Sequence, residues 1–322
     1  MRVGVIGAGV MGKNHARVYS EMDDVELVGI ADSSISAGKT VAKKHGCPHY
    51  VDYKKFIEKE KPEAVSLCVP TSLHYKIAKD VIDRGLHLLV EKPITKSVKD
   101  AEELVLLAKK RGIKLAVGHI ERFNPAVQEL KKLIDRGKLG HVTSILARRV
   151  GLFPPRIKDA NVIIDIAVHD IDVFRYLLGK EPEVVHASGG KAVINDREDY
   201  ADIFMKYNGT NGFIEVNWLT PVKIRVLNVT GTKGYAQLNY ISQDLKLYES
   251  DYKNTYDQFG EFVLQLGEPK EISVNVKKQE PLKLELQNFV DAVKSDKPPL
   301  VTGEDGLRVL KIAASVMDSI RR

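Results

Sequence analysis

The chain has 322 residues and a formal net charge of +6, with 43% hydrophobic and 29% charged residues. That balance excludes a disordered chain and suffices for one large or two ordinary cores. No apolar run approaches the roughly 18 residues of a membrane-spanning helix, and nothing before the first strand resembles a targeting segment. The two cysteines, Cys47 and Cys68, give no disulfide framework, which fits a reducing cytoplasm. The lysines are interleaved with acids, as in Lys54–Lys61, so the positive charge reads as solvated helix faces and not as a nucleic-acid surface.

Residues 1–120 alternate apolar runs with amphipathic stretches. The runs are Val3–Ile6, Val25–Ala31, Ala64–Val69, Leu86–Val90 and Leu115–Val117. Helical patterns lie between them, around Lys13–Tyr19, Ser36–His45, Tyr53–Lys59, His74–Arg84 and Lys99–Arg111. Strands that are apolar throughout, each followed by a helix, predict an α/β Rossmann-type domain with a doubly wound parallel sheet. A helix over Pro125–Arg136 follows. Longer runs rich in β-branched and aromatic residues come next, at Val142–Val150, Ala201–Tyr207, Gly212–Trp218, Ile224–Thr230 and Ala236–Tyr240. Turn signals at Tyr207-Asn208-Gly209 and Gly231-Thr232-Lys233-Gly234 predict hairpins. One helix interrupts at Ile163–Leu178, with Gly179 as its C-cap. Two more, Pro281–Lys294 and Gly303–Ile320, close the chain. The second domain, 121–322, is therefore expected to be α+β with a large, mostly antiparallel open sheet, its last helix able to pack back on the first domain.

Gly7-Ala8-Gly9-Val10-Met11-Gly12 fits G-x-G-x-x-G, follows an apolar strand and opens a helix. Gly7 allows the tight turn, Gly9 lets backbone approach a pyrophosphate, and Gly12 lets helix and strand pack closely. The helix N-terminus offers free N–H groups, including those of Val10 and Met11, to phosphate oxygens. Asp32 ends the next strand, where its carboxylate can accept from the adenosine ribose and repel a 2′-phosphate. Ser33 and Ser34 follow with no arginine, so NAD is expected over NADP.

Lys92 precedes Pro93, which keeps it out of helical geometry at the end of the Leu86–Val90 run. There its ammonium can stabilise developing alkoxide charge, although a lysine on a solvated strand end looks the same in sequence. Asp165 and His169 are four apart and share one helix face. Such a pair can work as a base near neutrality with a supporting carboxylate, or be a surface or capping pair. Asp170 and Asp172 flank His169, but Asp170 must point away from that face and no Cys/His cluster completes a site, so no metal is expected.

The glycine loop, Val90-Glu91-Lys92-Pro93, Gly118–Pro125, Asp165–Asp172 and Thr302–Gly306 together resemble the Gfo/Idh/MocA oxidoreductases along essentially the whole chain. The resemblance implies NAD-dependent oxidation of a secondary hydroxyl of a sugar or cyclitol. His169 would be the acid/base, Asp165 its assistant, and Lys92 the group at the reacting oxygen, next to a Lys92–Pro93 peptide that is often cis. Val69, Pro70, Thr71, His74 and Glu91 would pass along the cofactor, while Arg122 and Asn124 would reach substrate or make an interdomain salt bridge. The stretch Gly118–Pro125 is most similar to members acting on nucleotide-linked amino sugars, which implies the 3-hydroxyl of UDP-N-acetylglucosamine. The loop Gly151–Arg156 could then take the diphosphate. An inositol or free-sugar dehydrogenase, or a non-catalytic NAD-binding regulator, are the alternatives. The chain departs from the family pattern in carrying Asn161-Val162-Ile163-Ile164 before Asp165, where many members have glycines. Strands of the second half, with Trp218 and several tyrosines, are expected to form a homodimer or homotetramer face.

Overall fold

A computed structural model describes residues 1–153, 160–249, 252–256, 262–266 and 270–321. In chain order the elements begin β1 (Arg2–Ile6), α1 (Val10–Ser20), β2 (Glu26–Ala31), α2 (Ile35–Lys44), β3 (His49–Tyr50), α3 (Tyr53–Glu60) and β4 (Ala64–Leu67). Next come α4 (Thr71–Asp83), β5 (His87–Val90), α5 (Val98–Arg111), β6 (Leu115–Val117), α6 (Pro125–Asp135) and β7 (Val142–Leu152). A π-helical turn, Ile163–Ala167, leads into α7 (Val168–Leu178), followed by β8 (Val184–Gly190), β9 (Tyr200–Tyr207), β10 (Thr210–Asn217) and β11 (Leu219–Gly231). The remainder is β12 (Gly234–Asn239), β13 (Asp244–Glu249), β14 (Tyr252–Tyr256), β15 (Phe262–Leu266), β16 (Lys270–Val274), α8 (Pro281–Lys294) and α9 (Gly303–Ile320). Among the described residues no helix is long and apolar enough to cross a membrane.

The chain divides into two compact units, Met1–Ile120 with Glu280–Ala314, and Glu121–Gln279 with Ser315–Arg322. This division differs from the expected second domain of 121–322 in that residues 280–314, including most of the closing helix expected to be able to pack back, fall in the first unit. In that unit a parallel sheet runs β3-β2-β1-β4-β5-β6, the doubly wound order. Its central strands are sealed on both sides, with Val3, Val5, Ala64, Val65 and Leu67 fully buried, which is why the sequence reads as unbroken apolar runs. Ser34, Asp52 and Ser97 cap α2, α3 and α5 by accepting backbone N–H bonds. From α8, Leu282, Leu286, Phe289 and Val290 join the core cluster formed by β1 and α1.

The second unit is built on a sheet ordered β16-β13-β12-β11-β7-β10-β9-β8. Its pairings are antiparallel except β7 with β10. Both expected hairpins form, β9–β10 at Asn208-Gly209 and β11–β12 at Thr232-Lys233. The sequence reading did not single out β8, β13 and β16: Ala187-Ser188-Gly189-Gly190 is small and polar, and the other two are short and rich in charged residues. α7 lies close on the sheet, since a Cβ at Gly212 of β10 would stand 3.1 Å from the Phe174 ring. It ends at Gly179 in the left-handed region, φ +64°.

The expected helix over Ile163–Leu178 differs in its first turn, which is wound wider. There the Val168 N–H donates to the Ile163 carbonyl five residues back. Asn161 anchors this start: its Oδ1 accepts from the Ile164 N–H at 3.0 Å, and its Nδ2 donates to Glu198 Oε2 at 2.7 Å.

Candidate active site

The glycine loop of the first unit is shaped by close contacts on one side and open space on the other. A Cβ at Gly7 (φ +103°) would lie 2.3 Å from the Cys68 carbonyl oxygen, and one at Gly12 only 1.8 Å from the Gly7 carbonyl oxygen. At Gly9 a Cβ would meet nothing within 4 Å, so this is where an outside group can reach the backbone. Gly9 is the N-cap of α1 without a side-chain cap bond, which leaves the first-turn N–H groups of Val10, Met11 and Gly12 available to an anion. Asp32 stands beside them: its Oδ2 accepts from the Ala8 N–H at 2.6 Å and its Oδ1 from the Ser34 N–H at 2.7 Å. A carboxylate, open space over Gly9 and a bare helix terminus fit a dinucleotide, with the pyrophosphate at Gly9–Gly12 and a ribose at Asp32.

Lys92 follows β5 and is half-buried, next to a cis Lys92–Pro93 peptide. The segment around it is fixed from two directions. Glu91, buried, accepts from the Lys92 N–H through Oε2 at 3.2 Å, while its Oε1 lies 3.0 Å from Nε2 of the buried His15 on α1. Burial alone would push the Glu91 carboxyl up, but the His15 hydrogen bond, attraction to His15 and Lys92, and the Lys92 N–H hold it below the usual glutamate range. His74 is buried, with Nδ1 2.8 Å from the Pro93 carbonyl oxygen and Nε2 2.9 Å from that of Val69. It therefore braces the Val69-Pro70-Thr71 loop against Pro93. Both Glu91 and His74, expected along the cofactor, have their polar atoms engaged inside the protein. Ligand-type atoms of His15, Cys68 and Glu91 come within 4.8 Å of one another. The Cys68 thiol is pushed well up by burial and by Glu91 and Glu285, so it stays protonated and serves as packing.

In the second unit Asp165 lies in the π turn and His169 in the first turn of α7, both half-buried. Asp170 faces the other way and is fully buried: Arg149 of β7 grips it with Nε at 2.7 Å and Nη2 at 3.1 Å, and the Tyr240 hydroxyl donates to it at 3.0 Å. Arg149 also donates to Glu121 at 2.8 Å and lies 4.5 Å from the Tyr240 ring centre. Arg122 was expected at the substrate or in an interdomain salt bridge. It is instead buried against Asp172 of the same unit, with bonds of 2.8 and 2.7 Å. Asn124, the other expected substrate contact, caps α6 by accepting from the Ala126 N–H at 3.1 Å and donates to the Tyr240 carbonyl at 3.0 Å. Both side chains are consumed by buried polar groups that would otherwise lack partners. Pro154–Arg156, part of the expected diphosphate loop, lie outside the described residues.

The sequence reading missed His15 and Arg149. His15 follows the glycine loop at a position that looks like any helix residue, and Arg149 sits in an alternating strand where polar positions ordinarily face water. Trp218, 4% exposed, is a core residue, which corrects its expected place on an outward face, and Tyr207 and Tyr240 are buried as well. Leu146 and Phe213, each 41% exposed, stand on the outer face instead.

A doubly wound sheet, a glycine loop answered by Asp32, and a second α+β unit define a nicotinamide-dependent dehydrogenase acting on CH–OH groups. The chain belongs to the Gfo/Idh/MocA oxidoreductase family. The family's NAD-binding Rossmann-fold model matches residues 1–119, and its C-terminal domain model matches 127–237. UDP-N-acetylglucosamine 3-dehydrogenase of Acidithiobacillus ferrooxidans is 30% identical over 98% of this chain and 96% of its own length. Myo-inositol 2-dehydrogenase of Thermotoga maritima is 26% identical over 99% and 96%. A solved structure of the Acidithiobacillus enzyme superposes with a TM-score of 0.87 at 29% identity, covering 99% of this chain and 97% of that one.

Proposed function

We propose that this chain uses NAD to oxidise the 3-hydroxyl of UDP-N-acetylglucosamine. The observation that carries the substrate is the near full-length similarity to a dehydrogenase of that sugar nucleotide. The choice of NAD rests on Asp32, whose carboxylate beside the bare start of α1 would repel a 2′-phosphate. The nicotinamide, when bound, supplies the acceptor for the hydride that leaves the carbinol carbon. His169 takes the hydroxyl proton, Asp165 supports the imidazole, and the Lys92 ammonium donates to the substrate oxygen as it gains charge. Arg149 holds Asp170, and through it the helix that carries His169, in place.

The outward apolar residues Leu146 and Phe213, with Phe204 5.3 Å from Phe213 between ring centres, support a homodimer or homotetramer built on that sheet face. Free Cys47 and Cys68 agree with a cytoplasmic workplace.

The test is absorbance at 340 nm across UDP-sugars, free sugars and inositols with NAD and with NADP. Reduction of NAD by UDP-N-acetylglucosamine is the expected result. Reduction by myo-inositol in its place would move the chain to the inositol reading that the Thermotoga relative supports. NAD binding without reduction by any of them would make it a sensor.

A further inference from the structure

Arg225 is a half-buried cation of the second unit that the fold, among the described residues, does not use. It lies on β11 directly opposite Arg149 of β7 in the antiparallel register, so the two guanidinium groups leave the sheet on the same face. Along that face the next residues, Leu227 and Val229, are fully buried, and Arg225 itself is half-buried. Two like charges directly opposite each other on neighbouring strands weaken a sheet. Arg149 is compensated by Asp170 and Glu121, at 2.7 and 2.8 Å. Among the described residues Arg225 has neither a hydrogen-bonding partner nor an ion pair for its guanidinium. The charged groups that its charge senses are Arg149, Glu121, Asp170 and Asp165. The last of these is the carboxylate beside the base on the catalytic helix.

We propose that Arg225 receives an anionic oxygen group of the substrate, a phosphoryl or carboxylate oxygen, beside the hydroxyl handled by Asp165 and His169. A guanidinium is the side chain suited to this task, because its planar fork meets two oxygens of such a group at once. It also stays charged where burial and the neighbouring Arg149 pull its pKa down. An incoming anion would supply the compensation that the sheet lacks. The assignment rests on the reading that Asp165 and His169 mark the reacting hydroxyl, and it deepens that reading by requiring a charged substrate. Of the candidates above, a nucleotide-linked sugar carries such a group and an inositol does not.

The experiment measures binding to the NAD-loaded protein by calorimetry, comparing wild type with Arg225→Gln and Arg225→Lys. UDP and glucuronate are the charged probes, and uridine and glucose are their uncharged counterparts. The expected result is at least about a tenfold loss of UDP affinity in Arg225→Gln, a smaller loss in Arg225→Lys, and no change for uridine. Loss confined to glucuronate assigns the site to a carboxylate instead of a phosphoryl group. NAD affinity and melting temperature serve as controls for folding, and Arg225→Lys carries the test if the glutamine variant does not fold. Equal affinities of wild type and variants for both anions, or binding of neither by the wild type, overturn the proposal. Turnover of inositols alone, with UDP binding still dependent on Arg225, would sink the UDP-N-acetylglucosamine reading while leaving the anion site standing.

Discussion

His15 Nε2 lies 3.0 Å from Glu91 Oε1, which ties the cofactor helix α1 to the strand end that carries Lys92. The glycine-loop helix and the segment of Lys92, the two elements assigned above to the cofactor and the reacting oxygen, thus share one buried bond. Replacing His15 by Leu leaves a buried carboxylate short of a partner, and stability should fall by about 1–3 kcal/mol. Denaturant unfolding of the variant measures it; an unchanged midpoint would show that the bond contributes nothing.

The same pair gives a pH dependence with a definite sign. Glu91 has a folded pKa below its unfolded one, so its stabilisation is complete above the ordinary glutamate range and is lost as pH falls through the folded value. Wild type should therefore lose more stability than Glu91→Gln as pH falls below about 4.3, the ordinary glutamate value. Parallel stability curves for the two proteins would contradict this.

Gly9 and Gly12 should separate binding from folding. Gly12→Ala drives a Cβ to 1.8 Å from a backbone oxygen, so both the melting temperature and NAD affinity should drop. Gly9→Ala meets nothing within 4 Å, so it should cost under about 1 kcal/mol of stability yet weaken NAD by about tenfold or more. Thermal melts and cofactor titrations of the two variants read this directly.

Asp32→Ser removes the carboxylate expected to exclude a 2′-phosphate, and also releases the Ala8 and Ser34 N–H groups. The ratio of kcat/KM for NADP over NAD should rise at least about tenfold, mainly through a poorer value for NAD. An unmoved ratio would assign cofactor choice to other residues.

Lys92→Met should cut turnover by at least about a hundredfold with NAD affinity nearly intact, because the proposed role puts the ammonium on the reacting oxygen and not on the dinucleotide. Full turnover in this variant would remove Lys92 from the chemistry. Both quantities come from steady-state rates and a fluorescence titration of the cofactor.

Much of this was legible because the signals are local. Unbroken apolar runs mark strands covered on both sides, and the glycine spacing marks the loop whatever the rest of the chain does. The Asp165–His169 spacing placed both residues on one helix, although the wider first turn around Asp165 had no sign in the sequence. Period-two alternation says which strand residues share a face but not which face is inside, and so Trp218 was set outward while it is buried. Arg149 and Arg122 were opaque for a related reason. Their partners, Asp170 and Asp172, lie 21 and 50 residues away, and only tertiary packing turns a strand or loop arginine into a buried ion pair.

The return of residues 280–314 to the first unit has a consequence for how the protein is made. During synthesis, residues 1–120 leave the ribosome long before α8 exists, and the surface that Leu286, Phe289 and Val290 will cover has to wait. The dinucleotide cradle is thus specified by residues 1–120 but finished only by residues 280–314. A chain stopped short of α8 would carry the glycine loop on a half-dressed sheet, exposed to aggregation and to proteases. Cofactor affinity would then report not on an isolated module but on whether α8 has been made and has docked.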